Sequence, residues 1–173
     1  MSSIRPGYAR VRRRADELLA DLSQPPVDLA RIAAGLDVEI RPFDLGADVS
    51  GILYRDGARR VIVVNQKHSK VRQRFTIAHE LGHLMLHRGE PVHVDEGFRV
   101  NLRDPRSATA EEVEEIEANA FAANLLMPAA WLRADIERDH LDPSDEEALN
   151  RLAQRYEVSL HAMALRLASL TVG

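Results

Sequence analysis

The chain has no cysteine among its 173 residues. That excludes disulfide staples and thiolate metal sites, so any bound metal must be held by His, Asp or Glu. No segment approaches the roughly 20 apolar residues of a membrane span, and no membrane partner is expected. Lysine occurs only at Lys67 and Lys70, arginine carrying the rest of the basic charge, a bias that reports a GC-rich genome more often than a function. The net charge of −4 gives no global attraction to nucleic acid. Met1 to Leu22 is arginine-rich and lacks a continuous apolar stretch of the leader type, so the expected location is cytoplasmic. Internal repeats and low-complexity tracts are absent as well.

What is present fits an ordinary globular protein, 45% hydrophobic and 29% charged. Val11, Ala15, Leu18, Leu19 and Leu22 recur at helical spacing and predict a helix over 8–22, with a second over 28–34 closed by Gly35. Val38 to Phe43 reads as a strand, and Ser50 to Tyr54 with Arg60 to Asn65, joined through Asp56-Gly57, as a hairpin. A long helix is expected over 69–87. Beyond it, Arg88 to Ser107 reads as a loop with one strand at Phe98 to Leu102. Thr109 with Glu112 opens a fourth helix as a capping box, Pro128 stops it, a short helix surrounds Trp131, and Ser144 with Glu147 opens a second capping box before the last two helices.

The chemistry concentrates in His79-Glu80-Leu81-Gly82-His83. Two imidazoles four residues apart stand on one helical face, so their ring nitrogens converge on one ion with the Glu80 carboxylate beside it. Arg72, Thr76, His79, Glu80, His83 and His87 share one sector about 100° wide, while Phe75, Ile77, Ala78, Leu81, Leu84, Met85 and Leu86 fill most of the rest. A helix apolar nearly all round is buried, and an unsatisfied polar stripe on it would cost several kcal/mol unless a partner or a metal answered it. The pattern therefore points to Zn2+ at His79 and His83, with a satisfied structural histidine pair as the plainer alternative. The hairpin leading into this helix is where a zinc peptidase carries a substrate-binding edge strand, although a sheet packed on a helix reads the same way.

A catalytic zinc needs a third protein ligand and an open position. His87 lies about 12 Å further along a straight helix, too far to share the ion, and Leu86 and Gly89 break the HExxHxxGxxH spacing. Among Glu111, Glu112, Glu114, Glu115 and Glu117, helical phase sets Glu117 alone with Val113, Ala120, Phe121 and Asn124 on the apolar face, which makes it the candidate third ligand. The alternative is a Glu117 paired with an arginine. His93, Asp95 and Asp104 compete for the same role. With those ligands, Glu80 is the general base for water attacking a peptide carbonyl, and Tyr54, His87, His93, Tyr156 or an arginine would steady the oxyanion.

The stretch Arg74 to His83, followed by Glu117-Ala118-Asn119-Ala120-Phe121-Ala122-Ala123-Asn124-Leu125-Leu126-Met127-Pro128, resembles the ImmA/IrrE metallopeptidases. The resemblance implies zinc at His79, His83 and Glu117, Glu80 as the catalytic group, and a substrate class of XRE-type helix-turn-helix repressors cleaved to switch on stress-response or mobile-element genes. The expected fold is α+β: a mainly helical zincin-like domain over 1–139, its small sheet from the N-terminal half packed on the HExxH helix, and a helical, helix-turn-helix-like subdomain over 140–173.

The rival reading is a DNA-binding or partner-binding regulator whose zinc site hydrolyses weakly or not at all. Leu152 to Ser159, with Ala162, Met163 and Leu167, has helix-turn-helix spacing, but Glu157 sits where that turn commonly has Gly. From Ser144 onward the acids Asp145, Glu146, Glu147 and Glu157 outnumber Arg151, Arg155 and Arg166, whereas a DNA reader needs a basic face. The cluster Arg5, Arg10, Arg12, Arg13 and Arg14 is followed by Asp16, Glu17 and Asp21 and reads as a solvated helix face. Direct DNA binding is therefore not expected.

Overall fold

Val11, Ala15 and Leu19 are buried along one stripe of the first helix, α1 (Tyr8–Leu19), while Arg12, Arg13 and Arg14 face water. The computed structural model describes residues 5–96, 109–142 and 144–171. Helix α2 (Leu29–Gly35) is started by Asp28, whose Oδ1 accepts from the Arg31 amide at 2.9 Å. Strands β1 (Val38–Phe43), β2 (Gly51–Asp56) and β3 (Arg59–Asn65) follow. Gly57, at φ +56°, makes the tight turn between β2 and β3.

The sheet has the order β1-β3-β2-β4, with β1 parallel to β3 and both other pairings antiparallel. Its last member, β4 (Val92–Asp95), lies within the stretch that reads as loop, and the strand expected at 98–102 falls outside the described residues. β4 exists because Val92-His93-Val94-Asp95 alternates in character and finds the free edge of β2.

Helix α3 (Lys70–Leu86), capped by the Ser69 hydroxyl, packs on β2 and β3 and buries Ala78 and Leu81 with Leu53 and Ile62. It ends where expected because His87 turns extended (φ −122°, ψ 143°) and Arg55 of β2 donates from Nη1 to the carbonyls of His83 and His87, at 3.1 and 2.9 Å. Helix α4 (Ala110–Leu126) opens with the Thr109–Glu112 capping box. It lies against both α1 and α3. At its crossing with α3, a Cβ on Gly82 would stand 3.1 Å from the Ala118 Cα and 3.2 Å from both the Ala118 carbonyl oxygen and the Phe121 Cβ. Glycine is thus what lets the two backbones come this close.

After Pro128 come α5 (Ala129–Asp139), α6 (Glu146–Tyr156) and α7 (Leu160–Thr171). The cap of α6 is one residue later than the sequence pattern suggests. The Asp145 carboxylate accepts from the Ala148 amide at 3.1 Å, while the Ser144 hydroxyl donates to Asp142 instead. Between α6 and α7, Glu157 takes the left-handed conformation (φ 53°), and its carboxylate meets Arg74 Nε of α3 at 3.3 Å. The fold is mixed α+β, with one hydrophobic core running from Val11 and Leu53 through Phe121 to Tyr156 and Met163. Among the described residues no helix is long and apolar enough to cross a membrane.

Tyr156 is fully buried and donates its hydroxyl to Asp135 Oδ2 at 2.9 Å, an acid that Arg138 and Arg155 also hold at 2.8 and 2.9 Å. A hydroxyl bonded to a charged partner contributes about 1.5–3 kcal/mol. Tyr156→Phe should therefore lower the melting temperature by several degrees in calorimetry, and an unchanged melt would mean that this knot does not tie α6 to α5. The same burial removes Tyr156 from the oxyanion candidates.

Candidate metal centre

His79 and His83 are each 2% exposed and bring their Nε2 atoms to 3.1 Å of one another, one turn apart on α3. Facing them across the α3–α4 contact is Glu115. Its Oε2 lies 3.4 Å from His79 Nε2, and its Oε1 lies 3.1 Å from His83 Nε2 and 3.6 Å from His93 Nε2. The ligating atoms of His79, His83, His93 and Glu115 all fall within 4.8 Å of one another. Donors holding one tetrahedral ion at about 2.0–2.2 Å must stand ~3.3–3.6 Å apart, so the separations among His79, His83 and Glu115 fit a metal to within a few tenths of an ångström.

Hydrogen bonding outside this cluster turns the lone pairs inward. Asn119, four residues after Glu115 and hence on the same face of α4, accepts from His79 Nδ1 at 3.0 Å, which turns His79 Nε2 toward the cluster. On the other side His83 Nδ1 meets His87 Nδ1 at 3.3 Å, and His87 Nε2 donates to Glu117 Oε2 at 2.9 Å. A proton on His87 Nε2 makes His87 Nδ1 the acceptor, so His83 donates from Nδ1 and presents Nε2 to the metal position.

Glu117 is therefore not where the sequence reading put it. It is buried, as its phase demands, at 4% exposure. Its carboxylate, however, accepts from the Gly7 amide and Arg10 Nη2, both at 2.6 Å, and from His87. That is close to the arginine-paired alternative. The structure brings Glu115, not Glu117, to His79 and His83. Glu115 has a 40% exposed side chain, so a criterion based on burial passes over it. The available signal is the i, i+4 pair Glu115–Asn119, which puts a candidate ligand and a supporting acceptor on one face.

Glu80 is fully buried, and neither carboxylate oxygen has a hydrogen-bond partner among the described residues. Burial pushes its acid up to about 8; the neighbouring His79 opposes the shift, and Asp95 and Glu115 add to it. Burial also drives His83 down to about 4, leaving a neutral imidazole fit to ligate. For His79 burial pulls the same way, but Glu115, Glu80 and Asp95 together raise it, so the acidic surroundings call for positive charge at that ring. A proton or a metal ion would answer them. At Glu115 burial raises the acid, yet the His79 and His83 hydrogen bonds outweigh it and hold the carboxyl well below its usual range.

The remaining candidates scatter. Asp95 of β4 joins His79 and Glu80 within 4.8 Å. The Tyr54 hydroxyl turns to Asp56 at 3.3 Å, and Asp104 lies outside the described residues. His87 is engaged with Glu117 and His83, which leaves His93 as the imidazole whose buried Nε2 faces the cluster without a hydrogen bond.

Residues 33–168 match the family model of M78 peptidases described as the IrrE N-terminal-like domain. The radiation response metalloprotease IrrE of Deinococcus radiodurans is 34% identical over 157 residues, 87% of this chain and 42% of that protein. Its namesake in Deinococcus deserti is 37% identical over 123 residues, 66% of this chain and 41% of that protein. An uncharacterized immunity region protein of Bacillus phage phi105 is 26% identical over 121 residues, 69% of this chain and 70% of that protein. The chain thus spans less than half the length of the two IrrE proteins. With a family model covering most of its length and a His/Glu cluster that fits a metal ion, the chain belongs to the ImmA/IrrE family of M78 metallopeptidases.

Proposed function

We propose that this protein is a cytoplasmic, zinc-dependent endopeptidase of gluzincin type that cleaves an XRE-type helix-turn-helix repressor. The observation that carries the proposal is the convergence of His79, His83 and Glu115 at the spacing of a tetrahedral ion, beside a buried carboxylate with both oxygens unsatisfied. Two imidazole nitrogens and one carboxylate oxygen are a donor set well suited to zinc.

His79, His83 and Glu115 would hold the ion, which when bound supplies Lewis acidity to the water and to the substrate carbonyl. Glu80 takes the proton of the attacking water at one of its open oxygens and later returns it to the leaving amine nitrogen. Asn119 and His87 keep the ligating rings in the required tautomer and orientation, and Glu117 does the same for His87.

The substrate class rests on the family resemblance and on what the relatives' names say of them: a radiation response for the IrrE proteins, a phage immunity region for the phi105 protein. Both suit cleavage of a repressor that silences stress-response or mobile-element genes. In this reading 140–173 is a helix-turn-helix-like subdomain that docks the substrate rather than DNA. There Asp145, Glu146, Glu147 and Glu157 outnumber Arg151, Arg155 and Arg166, against the basic face that phosphates require.

The test is to strip the protein of metal, add zinc, and incubate it with an XRE-type repressor. Cleavage should require zinc, and His79→Ala or His83→Ala should lose both the bound zinc, by elemental analysis, and the cleavage. Zinc retained in those variants would remove the ligand assignment. Repressor bound but never cut would favour a partner-binding module, and metal-independent, salt-sensitive binding to duplex DNA would favour a regulator.

A further inference from the structure

We propose that His93 is a fourth protein ligand, delivered by β4, which closes the metal centre in the resting molecule. The inference rests on the zinc site proposed above and goes beyond it, because that site needs only three protein ligands and an exchangeable position.

His93 Nε2 is buried without a hydrogen-bond partner among the described residues, an arrangement that burial penalises unless something accepts its lone pair or its proton. It points at the metal cluster: 3.6 Å from Glu115 Oε1, with its ring centroid 4.0 Å from that of His83 and 6.5 Å from that of His79. Its ligating atom lies within 4.8 Å of the other three.

Strand pairing puts His93 there. β4 pairs antiparallel with β2 in the register Leu53↔His93, and alternation sends Val92 and Val94 outward, 49% and 44% exposed, while His93 and Asp95 turn in. β4 is four residues long and lies at the edge of the sheet. Zinc held by four protein groups is closed to substrate, whereas a hydrolytic site keeps one position for water. Hydrolysis then requires His93 to withdraw. The edge that β4 occupies on β2 is also the one an extended substrate strand would take, so entry of the peptide and release of His93 would be one event.

Cobalt(II) added to metal-free protein reads this directly, because its visible absorption reports the ligand set and small anions reach only an open position. Wild type should show a four-coordinate spectrum that azide does not change. His93→Ala should bind cobalt at least about 10-fold more weakly, with a spectrum that azide shifts. His93→Asn, which keeps a polar side chain of similar reach, should respond to azide as the alanine variant does; melting of both metal-free variants checks that they fold, and the asparagine variant decides the matter if alanine unfolds the protein. Equal affinity together with an azide response in wild type as large as in the variants would overturn the fourth-ligand assignment and leave His93 a group beside an open site. His79→Ala separates this from the underlying reading: cobalt bound there as tightly as in wild type would mean that the whole metal site is misplaced.

Discussion

Exchange of Glu80 for Gln is expected to lower peptide-bond hydrolysis by about 10²–10⁴-fold, the contribution of a positioned proton-transfer group, with the metal content unchanged. The substitution keeps the shape of the side chain and removes only its capacity to take and return a proton. It should not unfold the protein. Glu80 is buried with no hydrogen bond to lose among the described residues, and its acid is already pushed up to about 8, so a neutral group of equal size suits the pocket at least as well. Activity on a repressor substrate, zinc content and melting temperature should all be measured on one preparation. Retained turnover would show that another group, such as Asp95 within 4.8 Å of Glu80, moves the proton.

The second large effect separates two glutamates two positions apart. Glu115→Ala removes a direct contact to both imidazoles and should reduce zinc affinity by more than the about 10 to 100-fold that follows from disturbing a supporting group. Glu117→Ala should fall within that smaller range, because its carboxylate acts through His87 on the orientation of His83. Competition with a chelator of known affinity gives both values, and Glu117→Gln, which still accepts a hydrogen bond, should recover part of the loss. If Glu117→Ala proved the more damaging, the ion in solution would be held by the residue the helical phase first suggested. The expectation is the reverse, since Gly7, Arg10 and His87 already engage both oxygens of that carboxylate.

The contrast between these glutamates marks what the sequence can and cannot reveal. Hydrophobic period and caps located α3 and α4 well, because burial and hydrogen bonding at helix ends are local demands written into nearby residues. Phase correctly told that Glu117 is buried. It does not pick out Glu115, the acid that the structure sets beside His79 and His83, because that side chain is half exposed and looks like one more surface acid. The choice depends on the rotation of α4 against α3, a tertiary quantity with no local signature beyond Glu115–Asn119. β4 was missed for a related reason. Four residues between Pro91 and Gly97 carry too little pattern to stand out, and they become a strand only because β2 offers an edge. The cap of α6 moved from Ser144 to Asp145 because two suitable side chains stood in succession and Asp142 claimed the first.

Gly82 sits between the two histidines and touches no ion, yet it governs how far apart the ligands from the two helices stand. With nothing but hydrogen on its α-carbon, the α3–α4 gap is fixed by main-chain contact, which does not adjust as a rotamer would. A single methyl group inserted there would act as a shim, tilting α4 outward and carrying Glu115 with it. Loss of metal in this protein can therefore originate at a position that no inventory of ligands would include.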